Sequence, residues 1–137
     1  MRKILFVDDE CSVKALISDL ENYFDFKVTF LQDYRQIDKE LQTKYDAVIL
    51  DIMMPLKDDD TYFSQDEKEK TNYGRKTGII VFEKIRMQYP RLPIIFYSSM
   101  MERIYCDECT VVINKPERAK SIAETINILI ERISNSC

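Results

Sequence analysis

Four apolar runs in this chain each end in residues that could do chemistry together. Asp8-Asp9-Glu10 follows Ile4-Leu5-Phe6-Val7, and Asp51 follows Ala47-Val48-Ile49-Leu50. Ser98-Ser99 follows Ile94-Ile95-Phe96-Tyr97, and Lys115-Pro116 follows Val111-Val112-Ile113. Clustered carboxylates repel, so Asp8, Asp9 and Asp51 brought together would need a cation or raised pKa values. An oxygen-only ligand set suits a hard ion such as Mg²⁺, which keeps several waters and so leaves room for phosphate oxygens. Lys115 is a point charge suited to a phosphoryl group or to Asp51, and Ser98 can donate a hydrogen bond to the same group. These are the parts of a phosphoryl-transfer site that works by positioning and charge neutralisation. The chain has no histidine, and no cysteine stands beside the four tips as an obvious nucleophile. Asp51 is then the natural nucleophile, giving an acyl phosphate.

Such a site requires the runs to be neighbouring parallel strands, whose carboxyl ends share one edge of an open α/β sheet. Short, fully apolar runs suit strands buried on both faces. Between the first two tips, Ser12 stands as a candidate N-cap. After it, Val13, Leu16, Ile17, Leu20 and Phe24 form one helical stripe. Lys27 to Leu31 reads as the next strand. Asp33 with Gln36 suggests a capping box before a short helix carrying Ile37 and Leu41. A helix over Gly78 to Tyr89 carries Val81, Phe82 and Ile85, and Pro90 and Pro93 bracket its end. From Ser99 to Thr110 there is room only for a short helix or a turn. The last helix starts near Glu117, with Ile122, Ile126, Leu129, Ile130 and Ile133 on one face. Alternating strands and helices of this kind argue for a parallel sheet with helices on both faces, joined by right-handed crossovers.

Leu56 to Thr77 is long for a strand-to-helix connection and has no clear period. Tyr62, Phe63 and Tyr73 could pin it to the domain as an ordered lid. Asp58-Asp59-Asp60 within it reads as a solvated acidic turn, with metal binding as the alternative. Cys106-Asp107-Glu108-Cys109 is a CxxC. A zinc site would need Cys11 and Cys137 to converge on it, and two unrelated thiols is the plainer reading. Cys11 is expected half-buried, and Met53, Met54, Met100 and Met101 are expected in loop and core packing.

A length of 137 residues fits one domain, residues 1–137, with the polar insert at 56–77. Net charge is −4, from 24 acidic and 20 basic residues, which argues against general affinity for nucleic acid or anionic membrane. The apolar stretch near Met1 is too short for a signal peptide, and no apolar run is long enough to span a bilayer, so the expected location is the cytoplasm.

Taken jointly, Asp8-Asp9, Asp51-Ile52-Met53-Met54-Pro55, Ser98 and Lys115-Pro116 resemble the receiver domain of two-component response regulators. The resemblance covers nearly the whole chain. It implies a flavodoxin-like, doubly wound, five-stranded parallel sheet of order 2-1-3-4-5. Asp51 would accept phosphoryl from a sensor histidine kinase or phosphotransfer protein. Asp9 and Asp51 would bind Mg²⁺ directly, Asp8 through water, and Met53 through its main-chain carbonyl. Ser98 and Lys115 would contact the phosphoryl oxygens, and the Lys115–Pro116 bond would be cis. A homodimer is a further implication.

The chain departs from that pattern in three ways. Val112 stands three positions before Lys115, where the family usually has an aromatic switch residue. The fourth helix region is short or degenerate. The insert directly follows the phosphoacceptor, where relatives have a short loop. The resulting expectation is a stand-alone receiver that catalyses only its own phosphorylation and dephosphorylation. With no output domain expected after the last helix, the output would be a contact with a downstream protein. The alternative is a receiver-like interaction module that is not phosphorylated. A haloacid-dehalogenase-type phosphatase would need an Asp where Met53 stands. A flavin or dinucleotide cradle would need glycine where Asp8 to Ser12 stand.

Overall fold

The computed structural model describes residues 1–99, 104 and 106–136. The elements are β1 (Arg2–Val7), α1 (Lys14–Tyr23), β2 (Phe26–Leu31), α2 (Ile37–Glu40), β3 (Ala47–Leu50), α3 (Gln65–Lys70), α4 (Thr77–Gln88), β4 (Ile94–Ser98), β5 (Thr110–Asn114) and α5 (Ala119–Asn135). The five strands form one parallel sheet of order β2-β1-β3-β4-β5, a flavodoxin-like fold. The reversal of strand order falls between β1 and β3, which is where such sheets open a ligand crevice.

Successive strand residues point to opposite faces, so each apolar run feeds two cores. Leu5, Val7, Val48, Leu50, Ile94 and Phe96 pack with α2 and α4. Ile4, Phe6, Ala47, Ile49, Ile95 and Tyr97 pack with α1 and α5. Registers pair Val7 with Leu50 and with Leu31. A one-residue slip would exchange the faces of every side chain in the strand, so burial on both sides holds the register. That register sets the heights of the strand tips.

Several local features differ from expectation. Ser12 caps no helix: a 3₁₀ turn, Cys11–Val13, precedes α1, and the Ser12 hydroxyl donates to the Glu10 carboxylate at 3.3 Å. Asp33 and Gln36 form no capping box. The Asp33 carboxylate instead accepts from the Arg35 backbone N–H at 3.0 Å and grips the Arg35 guanidinium at 2.8 Å. The nearer cation takes the carboxylate, and α2 is only one turn long. Between β4 and β5 there is no helix among the described residues; 100–103 and 105, including Met100 and Met101, lie outside them. Val111 and Ile113 pack on the α5 side of β5, while Val112 is 41% exposed on the other side.

The insert is ordered around a residue the sequence did not single out. Tyr34 follows β2 and is fully buried. Its ring stacks on Phe63 at 5.3 Å between centroids and meets Tyr62 edge-on at 5.8 Å. Its hydroxyl donates to Asp60. Asp60 also accepts from the backbone N–H of Tyr62 at 2.8 Å, so this member of the triple-Asp run is buried rather than solvated. Asp58 and Asp59 are exposed. Ser64 and Glu67 then form a reciprocal capping box that starts α3. Tyr73, in contrast, is 95% exposed and pins nothing.

Cys106 is half-buried and Cys109 buried, and both thiols are free. Their loop is fastened by Asp107, which accepts from Cys109 N–H at 3.0 Å and pairs with Arg86 at 2.8 Å. Cys137 lies outside the described residues. Cys11 is exposed rather than half-buried, and its sulfur accepts from Gln32 at 3.2 Å. No described helix is long and apolar enough to cross a membrane.

Candidate functional site

The sheet carries its hydrogen-bond ladder one residue past the strand ends, and this places the polar tips. Asp8 N–H donates to the Leu31 carbonyl at 3.1 Å, Asp51 N–H to Val7 at 2.9 Å, and Lys115 N–H to Ser98 at 2.9 Å. Each functional side chain therefore leaves a backbone anchored to the neighbouring strand. The Lys115–Pro116 bond is cis.

Asp8, Asp9 and Asp51 each bring a carboxylate oxygen within 4.8 Å of the others. Asp8 is fully buried. One of its oxygens accepts from Glu10 N–H at 3.0 Å, and the other meets the Lys115 ammonium at 2.7 Å. The same ammonium lies 3.6 Å from Asp51 and over the Tyr97 ring at 5.5 Å. Asp51 also accepts from Ile52 N–H at 2.8 Å and from the buried Ser98 hydroxyl.

Burial, followed by the negative charge of Asp8, pushes the Asp51 carboxyl up to about 7, against the pull of Lys115, Ser98 and the Ile52 N–H. Burial also raises Asp9, assisted by the charges of Asp8 and Glu10. For Lys115, burial favours the neutral amine, but the Asp8 hydrogen bond and the charges of Asp51 and Asp8 outweigh it and raise its pKa. The group thus has more negative charge than Lys115 balances.

This arrangement fits a hard divalent cation. Asp9 Oδ1 is buried with no hydrogen-bond partner, although Asp8 and Asp51 both have theirs. A buried, unpartnered carboxylate oxygen is costly, and coordination to an ion is one way to satisfy it. Asp9, Asp51 and Asp8 could hold Mg²⁺. Met53 lines the same cleft and is half exposed.

The cleft above these groups has a volume of about 370 Å³. The expected residues Asp9, Asp51, Met53 and Lys115 line it, as does Ser99. Three further lining residues come from the far end of the insert: Tyr73, expected only as an anchor, Gly74, and Arg75, which the sequence did not single out. The available signal was Gly74, one of only two glycines in the chain. The second glycine, Gly78, donates its N–H to the Ile52 carbonyl at 2.8 Å and presses α4 against the loop that follows Asp51.

The sequence matches no protein-family model and no curated protein sequence. Solved structures do match. A CheY-like response regulator receiver domain protein from Methanospirillum hungatei JF-1 superposes with TM-score 0.72 at 15% identity, covering 100% of this chain and 99% of that one. This is the receiver-domain fold. A second receiver structure, from a sensor histidine kinase of Pseudomonas aeruginosa PAO1 with magnesium in its active-site cleft, gives TM-score 0.68 at 20% identity, covering 95% and 98% of the two chains. The response regulator TrrA of Thermotoga maritima, in complex with Mg²⁺ and BeF, gives 0.70 at 21% identity, covering 94% and 99%. Receiver coordinates extend over essentially the full length of this chain, so the polar tips fall at the switch point of that fold.

Proposed function

We propose that this chain is a Mg²⁺-dependent, phosphoryl-accepting receiver whose acceptor is Asp51. One observation carries the reading: Asp51 is buried against Lys115 and Ser98 within a carboxylate group that includes an unpartnered Asp9 oxygen. The donor is a phosphohistidine of a sensor kinase or phosphotransfer protein. An Asp51 oxygen attacks phosphorus as the P–N bond breaks, the electron pair stays on the imidazole nitrogen, and an acyl phosphate results. Lys115 and Ser98 hold the phosphoryl oxygens by charge and hydrogen bond. Mg²⁺, held by Asp9, Asp51, Asp8 and the Met53 carbonyl, would neutralise the carboxylates and the charge of the incoming group. The domain acts in the cytoplasm, modifies only itself, and is read by a downstream protein or a second copy of the chain. Transfer of charge to Asp51 alters the contacts of Lys115 and Ser98 and biases the surrounding loops.

The alternative, a receiver fold kept only for binding, draws support from the exposed Val112 at the position of the usual aromatic switch. Intact-protein mass separates the two. Incubation with acetyl phosphate is expected to add one phosphoryl group that requires both Mg²⁺ and Asp51. No adduct on the native chain, or an equal adduct on Asp51→Asn, overturns the phosphoacceptor reading.

A further inference from the structure

Arg75 lines the cleft from the insert rather than from a strand tip. The chain arrives there through a run of left-handed residues, Asn72, Tyr73 and Gly74, with φ of 51°, 56° and 92°. Such a conformation is unfavourable for a bulky side chain like that of Tyr73 and persists only where surrounding contacts enforce it. Those contacts are present on both sides of Arg75. The Gly74 carbonyl accepts from Met54 N–H at 3.2 Å, and the Thr77 hydroxyl donates to the Met54 carbonyl at 2.5 Å. A β-carbon at Gly74 would meet the Met54 carbonyl at 3.1 Å, so the two backbones touch. Arg75 is thereby anchored three residues along from the acceptor at Met54 and lines the same cleft as Asp51. Among the described residues its guanidinium has no hydrogen bond or ion pair.

Charge shows what that guanidinium can do. Asp9, Glu10 and Asp51 line the cleft, Asp8 is buried within the same carboxylate cluster, and Lys115, a half-buried cation, is already committed to Asp8. A divalent ion would still leave an excess of negative charge, and an incoming phosphoryl donor is itself a dianion. A second cation carried on an anchored backbone beside the cleft lowers that barrier, and a guanidinium can take two phosphate oxygens at once.

We propose that Arg75 is a donor-binding residue of the phosphoryl-transfer site, supplied by the insert. The proposal rests on the phosphoacceptor reading above. With acetyl phosphate, an Asp51 oxygen attacks phosphorus, the P–O bond to the acetyl group breaks, and acetate leaves with the electron pair. Arg75 holds the oxygens of the donor as this happens and takes no part in proton transfer.

The test is the initial rate of phosphoryl incorporation against acetyl phosphate concentration, at saturating Mg²⁺, for the native chain, Arg75→Gln and Arg75→Lys. Thermal melts of all three establish that they are folded. Arg75→Gln is expected to need about fivefold more donor for half-maximal rate, as for an exposed charge pair, with Arg75→Lys recovering part of the loss. The difference should shrink in 1 M salt, where screening is short-ranged. A folded Arg75→Gln that matches the native curve overturns the role of Arg75 and leaves the phosphoacceptor reading standing. A native chain that takes no phosphoryl group overturns both.

Discussion

Gly78 faces the carbonyl oxygen of Asp51 so closely that a β-carbon built on it would fall 1.9 Å from that oxygen. The first turn of α4 is thus stacked on the backbone that carries Asp51. Helix propensity alone would make Gly78→Ala stabilising by about 1 kcal/mol. The contact lies far inside van der Waals range and must win. Gly78→Ala is expected to lower stability by about 2–3 kcal/mol in urea unfolding and to reduce phosphoryl uptake at Asp51 by shifting its loop.

Lys115 holds a fully buried partner in Asp8. Replacing Lys115 by Met removes the ammonium that pairs with that carboxylate. Unfolding in the absence of metal should then show a loss of about 3–5 kcal/mol, the usual consequence of breaking a buried pair. Added Mg²⁺ should raise the melting temperature of Lys115→Met more than that of the native chain. Equal shifts would mean that the metal does not share the Asp8 environment.

The raised pKa of Asp51 sets a pH dependence for the metal-free protein. Its ordinary value is 3.8 and its folded value about 7. Between those limits the folded chain binds a proton that the unfolded chain releases, so stability falls as pH rises through the window and stays low above it. In EDTA, Asp51→Asn should melt higher than the native chain at pH 8, by about 1–2 kcal/mol or roughly 3–8 °C. The gap should narrow at pH 5. A gap of the same size at both pH values would place the gain outside the ionisation of Asp51.

Asp60 and Tyr34 fasten the insert to the β2 edge. Tyr34→Phe keeps the ring packing but leaves a buried carboxylate oxygen without its hydroxyl donor. The expected loss is about 1–3 kcal/mol. Limited proteolysis should then open the stretch 57–64 in Tyr34→Phe at protease levels the native chain survives.

The Ser64–Glu67 capping box gives a local control. Ser64→Ala should cost about 1 kcal/mol and speed amide exchange in α3, leaving phosphoryl uptake at Asp51 unchanged.

The apolar runs Ile4–Val7, Ala47–Leu50 and Ile94–Tyr97 were legible because strands buried on both faces need no partner pattern to declare themselves. The polar residue after each run located the strand tips, and parallel pairing then brought them to one edge. Helix starts were less legible. Ser12 has the right chemistry for a cap, but the chain enters α1 through a 3₁₀ turn. Ser64 had a true box, yet Gln65–Lys70 carries no apolar stripe to mark a helix. The insert was opaque for a different reason. Asp60 looks like Asp58 and Asp59 in sequence, and only a tyrosine far back in the chain separates it from them. Arg75 was invisible because its place depends on backbone contacts with Met54, which no local period encodes.

The left-handed run at Asn72 to Gly74 and its clasp on Met54 have a kinetic consequence. A rim that had to order itself around each visiting donor would charge that entropy to every encounter. Here the ordering is completed when the chain folds, so the cleft meets its visitor already shaped. On the proposed reading, association would then be governed by diffusion and by the field of the cleft, and ionic strength should act on the on-rate as well as on the hold of Arg75 on the donor.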